Sequence, residues 1–270
     1  MNQDKFLRLR RNRKGYTMKI AVSGKGGVGK TTFSAMMIRA FNENGKKVLA
    51  IDADPDANLA SAVGITDAES ITPISEMKNL VYERTEAQPG SIGGFFKLNP
   101  KVDDLPDALS AKLENIKLMR LGGVKKGGAG CICPESTLLR ALVTHIVLAR
   151  DEMVIMDMEA GIEHLGRATA KAVNKLVVVV EPGRRSIDTA THIRSLAGEI
   201  GLNAISLVGN KIRSKKDEQY LQSHLSDFEF LGFLPYDDAL IEADLNGISP
   251  YDVESESKAR ITEMIKQLND

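Results

Sequence analysis

Apolar residues in this chain fall into two patterns: short unbroken runs, and stretches where they recur every third or fourth position. The runs are MKIAVS (Met18 to Ser23), KKVLAID (Lys46 to Asp52), EMVIMD (Glu152 to Asp157), KLVVVVEP (Lys175 to Pro182), NAISLVGNK (Asn203 to Lys211) and FEFLGFLP (Phe228 to Pro235), with a shorter candidate at Glu114 to Gly122. Runs this short and this uniformly apolar predict strands buried on both faces. Between them, 3.6-residue periodicity predicts helices over Thr32 to Asn44, Glu135 to Leu148, Ser186 to Ile200 and Lys215 to Leu225. The first carries Ala35, Met36, Ile38, Ala40 and Phe41 on one face. Strands alternating with helices predict an α/β fold, a mostly parallel sheet covered by helices on both faces. Its binding site is expected at the carboxyl ends of the strands. Residues 66–113, with Pro73, Pro89, Pro100 and Pro106, break the alternation and read as an insertion with local helix. Residues 18–270 read as one domain, without internal repeats.

Composition narrows the picture. The chain has 270 residues, 43% of them hydrophobic, enough for a full core. No run approaches the ~18 apolar residues of a membrane span, and no apolar segment of signal-peptide length opens the chain. Two cysteines do not make a disulfide scaffold, so a reducing cytoplasm is expected. The 36 basic and 36 acidic side chains cancel, but residues 1–17 hold Lys5, Arg8, Arg10, Arg11, Arg13 and Lys14 against Asp4 alone. Such an arm suits an anionic partner; because Met18 directly precedes the first strand, it reads instead as a disordered extension or a start-site artefact. The remainder is mildly acidic, which argues against a nucleic-acid surface.

The candidate chemistry starts at GKGGVGKTT, Gly24 to Thr32. It fits the phosphate-loop pattern G-x-x-x-x-G-K-[ST] and lies between a strand and a helix, the context that the pattern requires. Gly26, Gly27, Val28 and Gly29 would wrap phosphates with backbone N–H groups at a helix N-terminus. Lys30 would reach the β- and γ-phosphates, Thr31 would bind Mg²⁺, and Thr32 completes the nucleotide-binding segment. Lys25, by spacing alone, is equally a solvated loop lysine. The segment resembles the deviant phosphate loop of the ATPase superclass that holds the nitrogenase iron protein, the MinD-type positioning ATPases and the ParA-type partition ATPases. That resemblance implies the P-loop NTPase fold, ATP and ADP as ligands, and a nucleotide-dependent homodimer. In it Lys25 crosses to the partner's phosphates, a group worth roughly 10³–10⁵ in rate.

Three carboxylates, Asp52, Asp54 and Asp56, follow the second strand in IDADPDANL. A polar turn explains them as simply. The resemblance makes the segment a switch in which Asp52 supports Mg²⁺ and Asp54 orients the attacking water, with Asp56 unassigned. VIMDMEAGIEHLGR ends a strand on Asp157, placed to accept from magnesium-bound water, and resembles a Walker B strand with its second switch; Gly161 gives that switch backbone freedom. His164 reads as a hydrogen-bonded structural histidine. In GNKIR, the Asn210 amide offers donor and acceptor, and resemblance makes it the base reader beside Lys211, with Pro235 and Tyr236 packed alongside. Glu181–Pro182 reads as a strand end only.

GGAGCICPE holds both cysteines, Cys131 and Cys133, in a glycine-rich loop ahead of a helix. A disulfide between residues two apart would be strained. Two thiolates leave a tetrahedral soft-metal site half built, and a two-fold dimer closes it with four. By ligand chemistry such a site favours Zn²⁺ or an iron–sulfur cluster. Taken with KLNPKVDDLP, KKGGAGCICPE and VVEPGRRSI, the chain from Met18 resembles the CooC-type accessory ATPases. Those proteins mature nickel-containing carbon monoxide dehydrogenase or its partner acetyl-CoA synthase. The resemblance implies Ni²⁺ carried on Cys131 and Cys133 at the dimer interface and released into the apo-enzyme on ATP hydrolysis, with Zn²⁺ as competitor. The alternatives are a MinD/ParA-like positioning or partition ATPase and a redox ATPase bearing a cluster. Ile261, Met264, Ile265 and Leu268 form a helical face that suits a membrane-targeting tail. Its flanks are acidic, however, and packing onto the sheet is expected, with no membrane and no nucleic acid as partner.

Overall fold

A computed structural model of the chain describes residues 18–87, 95–122, 133–150, 152–162 and 165–269. The basic stretch at residues 1–17, Glu163, His164 and Cys131 therefore lie outside the described residues. The apolar runs form β1 (Lys19–Gly24), β2 (Val48–Ala53), β5 (Met153–Met158), β6 (Lys175–Val180), β7 (Ile205–Ile212) and β8 (Glu229–Pro235). Together with β3 (Ala111–Leu113) and β4 (Ile116–Arg120) they make one eight-stranded sheet in the order β3-β4-β2-β5-β1-β6-β7-β8. All pairings are parallel except β3 with β4. The run at Glu114 to Gly122 is thus half of a hairpin, with Glu114 in the left-handed region (φ 52°) at its turn. A three-residue strand carries too little pattern to be read in advance.

β1, β2 and β5 are buried throughout because both faces of the sheet are covered. Alternate residues serve opposite faces. Leu49, Ile51 and Ala53 join one core with α5 (Pro134–Ala149), α7 (Arg184–Glu199) and α8 (Lys215–His224). Val48 and Ala50 join the other, with α1 (Lys30–Glu43), α2 (Leu59–Val63) and α10 (Glu256–Asn269). Residues 66–113 carry two 3₁₀ turns, α3 (Lys78–Thr85) and α4 (Leu105–Leu109), besides β3. The remaining helices are α6 (Arg167–Ala170) and α9 (Asp238–Leu245). The apolar face of α10 packs on β8 and α1 and buries Ile261, Met264, Ile265 and Leu268, at about 1.5–3 kcal/mol for each side chain. That face is occupied inside the fold and is not free to meet a lipid surface. Among the described residues, no helix is long and apolar enough to cross a membrane.

Candidate functional site

The phosphate loop joins β1 to α1 at the middle of the sheet, where parallel strands on both sides end together. Its shape depends on glycine at two places. Gly24 has φ 148°, and a side chain there would collide with the Val179 carbonyl of β6. Gly29 has φ 93° at the N-cap of α1, and a side chain there would collide with the Asn210 amide. Val28 is wholly buried and anchors the loop in the core. Gly26, Gly29, Lys30, Thr31 and Asp54 line a groove of about 670 Å³ that runs on past Ser61 to Ile248. Lys30 is 6% exposed, with its Nζ 4.0 Å from Asp54 Oδ2.

Two buried carboxylates face each other beneath this groove. Asp52 on β2 and Asp157 on β5 are paired in register. Asp157 accepts the Thr31 hydroxyl (2.7 Å) and the Ser34 hydroxyl (3.0 Å), one on each oxygen. Asp52 accepts the backbone N–H groups of Leu59 (3.0 Å) and Asp54 (3.3 Å), and Asp54 in turn accepts that of Asp56 (3.0 Å). Burial is the main force on both acids. It pushes Asp52 up to about 7, with help from the Asp157 charge and against the Leu59 N–H. It pushes Asp157 up to about 6, against the Thr31 and Ser34 hydroxyls and Lys30. In their ionised forms these two carboxylates, beside a threonine hydroxyl, would be a hard-oxygen donor set of the kind magnesium takes. Among the described residues no three His, Cys, Asp or Glu side chains assemble a metal cage.

The same pair sets a pH dependence. A carboxyl whose pKa is raised by folding adds stability that is full below its unfolded value near 3.8 and lost as pH rises through 6 to 7. The acids held low, Asp104 and Glu152 by hydrogen-bonded cations and Glu229 by the Ser206 hydroxyl and then Lys175, change their contribution only in the acid range. The nucleotide-free protein is therefore expected to lose about 1–2 kcal/mol between pH 6 and pH 8, a drop of roughly 3–6 °C in melting temperature. Calorimetry in magnesium-free buffer checks this, and a flat or rising profile contradicts it.

On the other side of the loop, β7 holds its backbone. Asn210 Nδ2 donates to the Val28 carbonyl (2.7 Å) and Lys211 Nζ to the Gly27 carbonyl (2.7 Å). Because a trans peptide points its N–H opposite to its carbonyl, the Val28 bond turns the Gly29 N–H away from β7. Asn210 thus keeps its oxygen and its second amide N–H for a base. A cavity of about 240 Å³ beside it is lined by Gly27, Thr32, Asn210, Lys211, Pro235 and Tyr236, among others. The Arg213 guanidinium stacks 3.8 Å from the Tyr236 ring centre. The residues expected to take a base are brought together here.

Three functional positions escaped the sequence reading. Ser34 lies one helical turn after Thr31, a spacing that puts both hydroxyls on one face. Ser23 is wholly buried, and its hydroxyl lies 2.8 Å from the Gly161 carbonyl and 3.1 Å from that of Glu159, tying the end of β1 to the segment after β5. Glu181 is not merely a strand end: its carboxylate bridges Lys25 (3.1 Å) and Lys211 (3.3 Å). The general rule that strand ends line the site would have found it.

Cys133 is the N-cap of α5. Its sulfur takes the Ser136 N–H at 3.4 Å and lies 3.0 Å from the Ser136 hydroxyl. The other expected ligand, Cys131, falls in the stretch 123–132 outside the described residues.

Residues 19–251 match the CobQ/CobB/MinD/ParA nucleotide binding domain family. The chain is 48% identical over 238 residues to the carbon monoxide dehydrogenase accessory protein CooC of Rhodospirillum rubrum, covering 87% of this chain and 90% of that protein. It is 42% identical over 254 residues to an uncharacterized ATP-binding protein of Methanocaldococcus jannaschii, covering 93% and 97%. Among solved structures it resembles the septum site-determining protein MinD of Pyrococcus horikoshii in complex with Mg-ADP. There the TM-score is 0.61 at 21% identity, covering 94% of this chain and 96% of that one.

Proposed function

The chain belongs to the CobQ/CobB/MinD/ParA nucleotide-binding family. On that premise we propose that it is an ATP-hydrolysing maturation factor that carries Ni²⁺ between two protomers and delivers it to apo carbon monoxide dehydrogenase or acetyl-CoA synthase. The similarity to CooC carries this reading, because it extends over most of both chains and because this chain has the Cys131-x-Cys133 pair.

Lys30 and the loop N–H groups hold the triphosphate, and Asn210 with Tyr236 receives the base. Thr31, supported by Asp157 and Asp52, would hold magnesium, which would supply charge neutralisation to the phosphates. Asp54 orients the attacking water, and Lys25 of each protomer offsets charge on the other protomer's γ-phosphate. Ser23 links the loop strand to the backbone at Glu159 and Gly161, so a change at the phosphate is felt where the second switch begins. Nickel is cargo. Four thiolates, Cys131 and Cys133 from each of two protomers, would hold it, and the donors around Cys133 from Ser136 suit a metal-bound sulfur. Zn²⁺ competes for the same ligands. Joining hydrolysis to metal release requires both sites to form and open with the dimer.

Replacing Cys131 and Cys133 together by alanine is expected to remove stoichiometric nickel binding, one ion per dimer in the natural chain, while ATP affinity stays within about twofold. Metal analysis after gel filtration with nickel, beside a nucleotide titration, reads both. Unchanged metal stoichiometry would refute the carrier reading. A membrane-positioning ATPase is the less favoured alternative, because the C-terminal apolar face that would serve as such a tail, on α10, is buried.

A further inference from the structure

We propose that Glu181 is a positioning residue that holds Lys25 over its own phosphate loop until nucleotide and a second protomer draw the lysine away. This rests on the reading that Lys25 acts on the partner's nucleotide. It adds what restrains Lys25 beforehand.

The geometry is specific. Glu181 immediately follows β6, which pairs with β1 through Gly24 and Val179. Its backbone N–H donates to the Ser186 hydroxyl (3.0 Å) in the first turn of α7, and Ser186 is 2% exposed. The carboxylate therefore stands on a fixed support. One oxygen takes Lys25 Nζ at 3.1 Å and the other Lys211 Nζ at 3.3 Å. Lys25 cannot keep that contact and also reach a phosphate on another chain.

The arrangement is built to open on one side. When Lys25 departs, Glu181 keeps Lys211, so no carboxylate is left without a cation. Lys211 does not follow, because its Nζ also donates to the Gly27 carbonyl. Lys211 sits at φ 59°, a left-handed conformation that is unfavourable for a residue with a side chain. Such a conformation persists where surrounding contacts over-determine it, and here Gly27 and Glu181 supply those contacts. An arriving triphosphate competes with Glu181 for the same lysine. The dimer closes only when two sets of phosphates outbid two glutamates.

The test is Glu181→Gln, which keeps shape and removes charge at a half-exposed side chain. A partly exposed ion pair of this kind is worth about threefold to fivefold in an equilibrium constant. Two are released per dimer, so the ATP-dependent dimerisation constant is expected to rise roughly tenfold. The half-saturating ATP concentration falls in step, and the maximal turnover changes far less. Sedimentation velocity and phosphate release across an ATP series read the two quantities. Glu256→Gln, which removes the surface pair with Arg260 on α10, is the control and leaves the threshold where it was. In a Lys25→Ala background, Glu181→Gln has no effect on dimerisation. An unchanged or raised ATP threshold, or an effect that persists without Lys25, overturns the proposal. The two readings fail differently: a Lys25→Ala protein that dimerises and hydrolyses normally defeats trans action. An inactive Lys25→Ala protein beside an indifferent Glu181→Gln protein defeats only the restraint.

Discussion

Replacing Asp54 by alanine is expected to leave ATP binding intact, to cut hydrolysis by about 10²–10⁴-fold, and to let the ATP-bound dimer accumulate. Asp54 lies just beyond β2, with one oxygen facing Lys30 at 4.0 Å across the groove and the other capping the Asp56 N–H. Among the described residues its one contact with the phosphate loop is the 4.0 Å ion pair with Lys30, so its loss is expected to leave the nucleotide cradle standing. What goes is the carboxylate that would orient water against the γ-phosphate, and hydrolysis is the event that lets protomers part. Phosphate release, ATP titration and sedimentation with ATP together read the outcome. Hydrolysis lowered less than tenfold would show that another group orients the water.

Lys25→Ala carries the second large effect, a loss on the order of 10³–10⁵ in turnover, as for an arginine finger supplied in trans. The magnitude alone does not reveal on which chain the lysine acts; mixing does. Each of the two variants is inactive by itself. In a heterodimer of Lys25→Ala with Asp54→Ala, one of the two sites has an intact Asp54 and receives Lys25 from the other chain. An equimolar mixture is then expected to regain about a quarter of the natural rate, half the dimers being mixed with one working site each. A mixture as inactive as its parts would mean that Lys25 works on its own chain, where Glu181 now holds it.

Much of this was legible because each layer leaves its own mark on the residues. Strands covered on both faces must be apolar at every position, so β1, β2, β5, β6 and β7 stand out as unbroken runs. Phosphate loops need glycine where a Cβ would strike Val179 or Asn210, and that need is visible at Gly24 and Gly29. Short elements were not legible. β3 has three residues and α2 five, too few for a period to declare itself. Nor were contacts whose meaning arises only in three dimensions. Asn210 invited the reading that its amide faces a base, but not that one of its N–H groups also holds the Val28 carbonyl 182 positions away. Glu181 is marked in the sequence only as a strand end, and its two lysine partners follow from which strands lie beside β6. The cysteine pair is the converse case: its spacing is plain in the sequence, and Cys131 lies outside the described structure.

The seating of α10 against both β8 and the helix that begins at Lys30 has a practical bearing. The residues of α10 are a wall of the same core that backs the nucleotide loop. A chain cut short before Glu256 would bare an oily seam directly behind α1, and the fault would surface as poor ATP retention and clumping. Tags and fusion partners belong beyond Leu268, where they extend the wall without prying it loose.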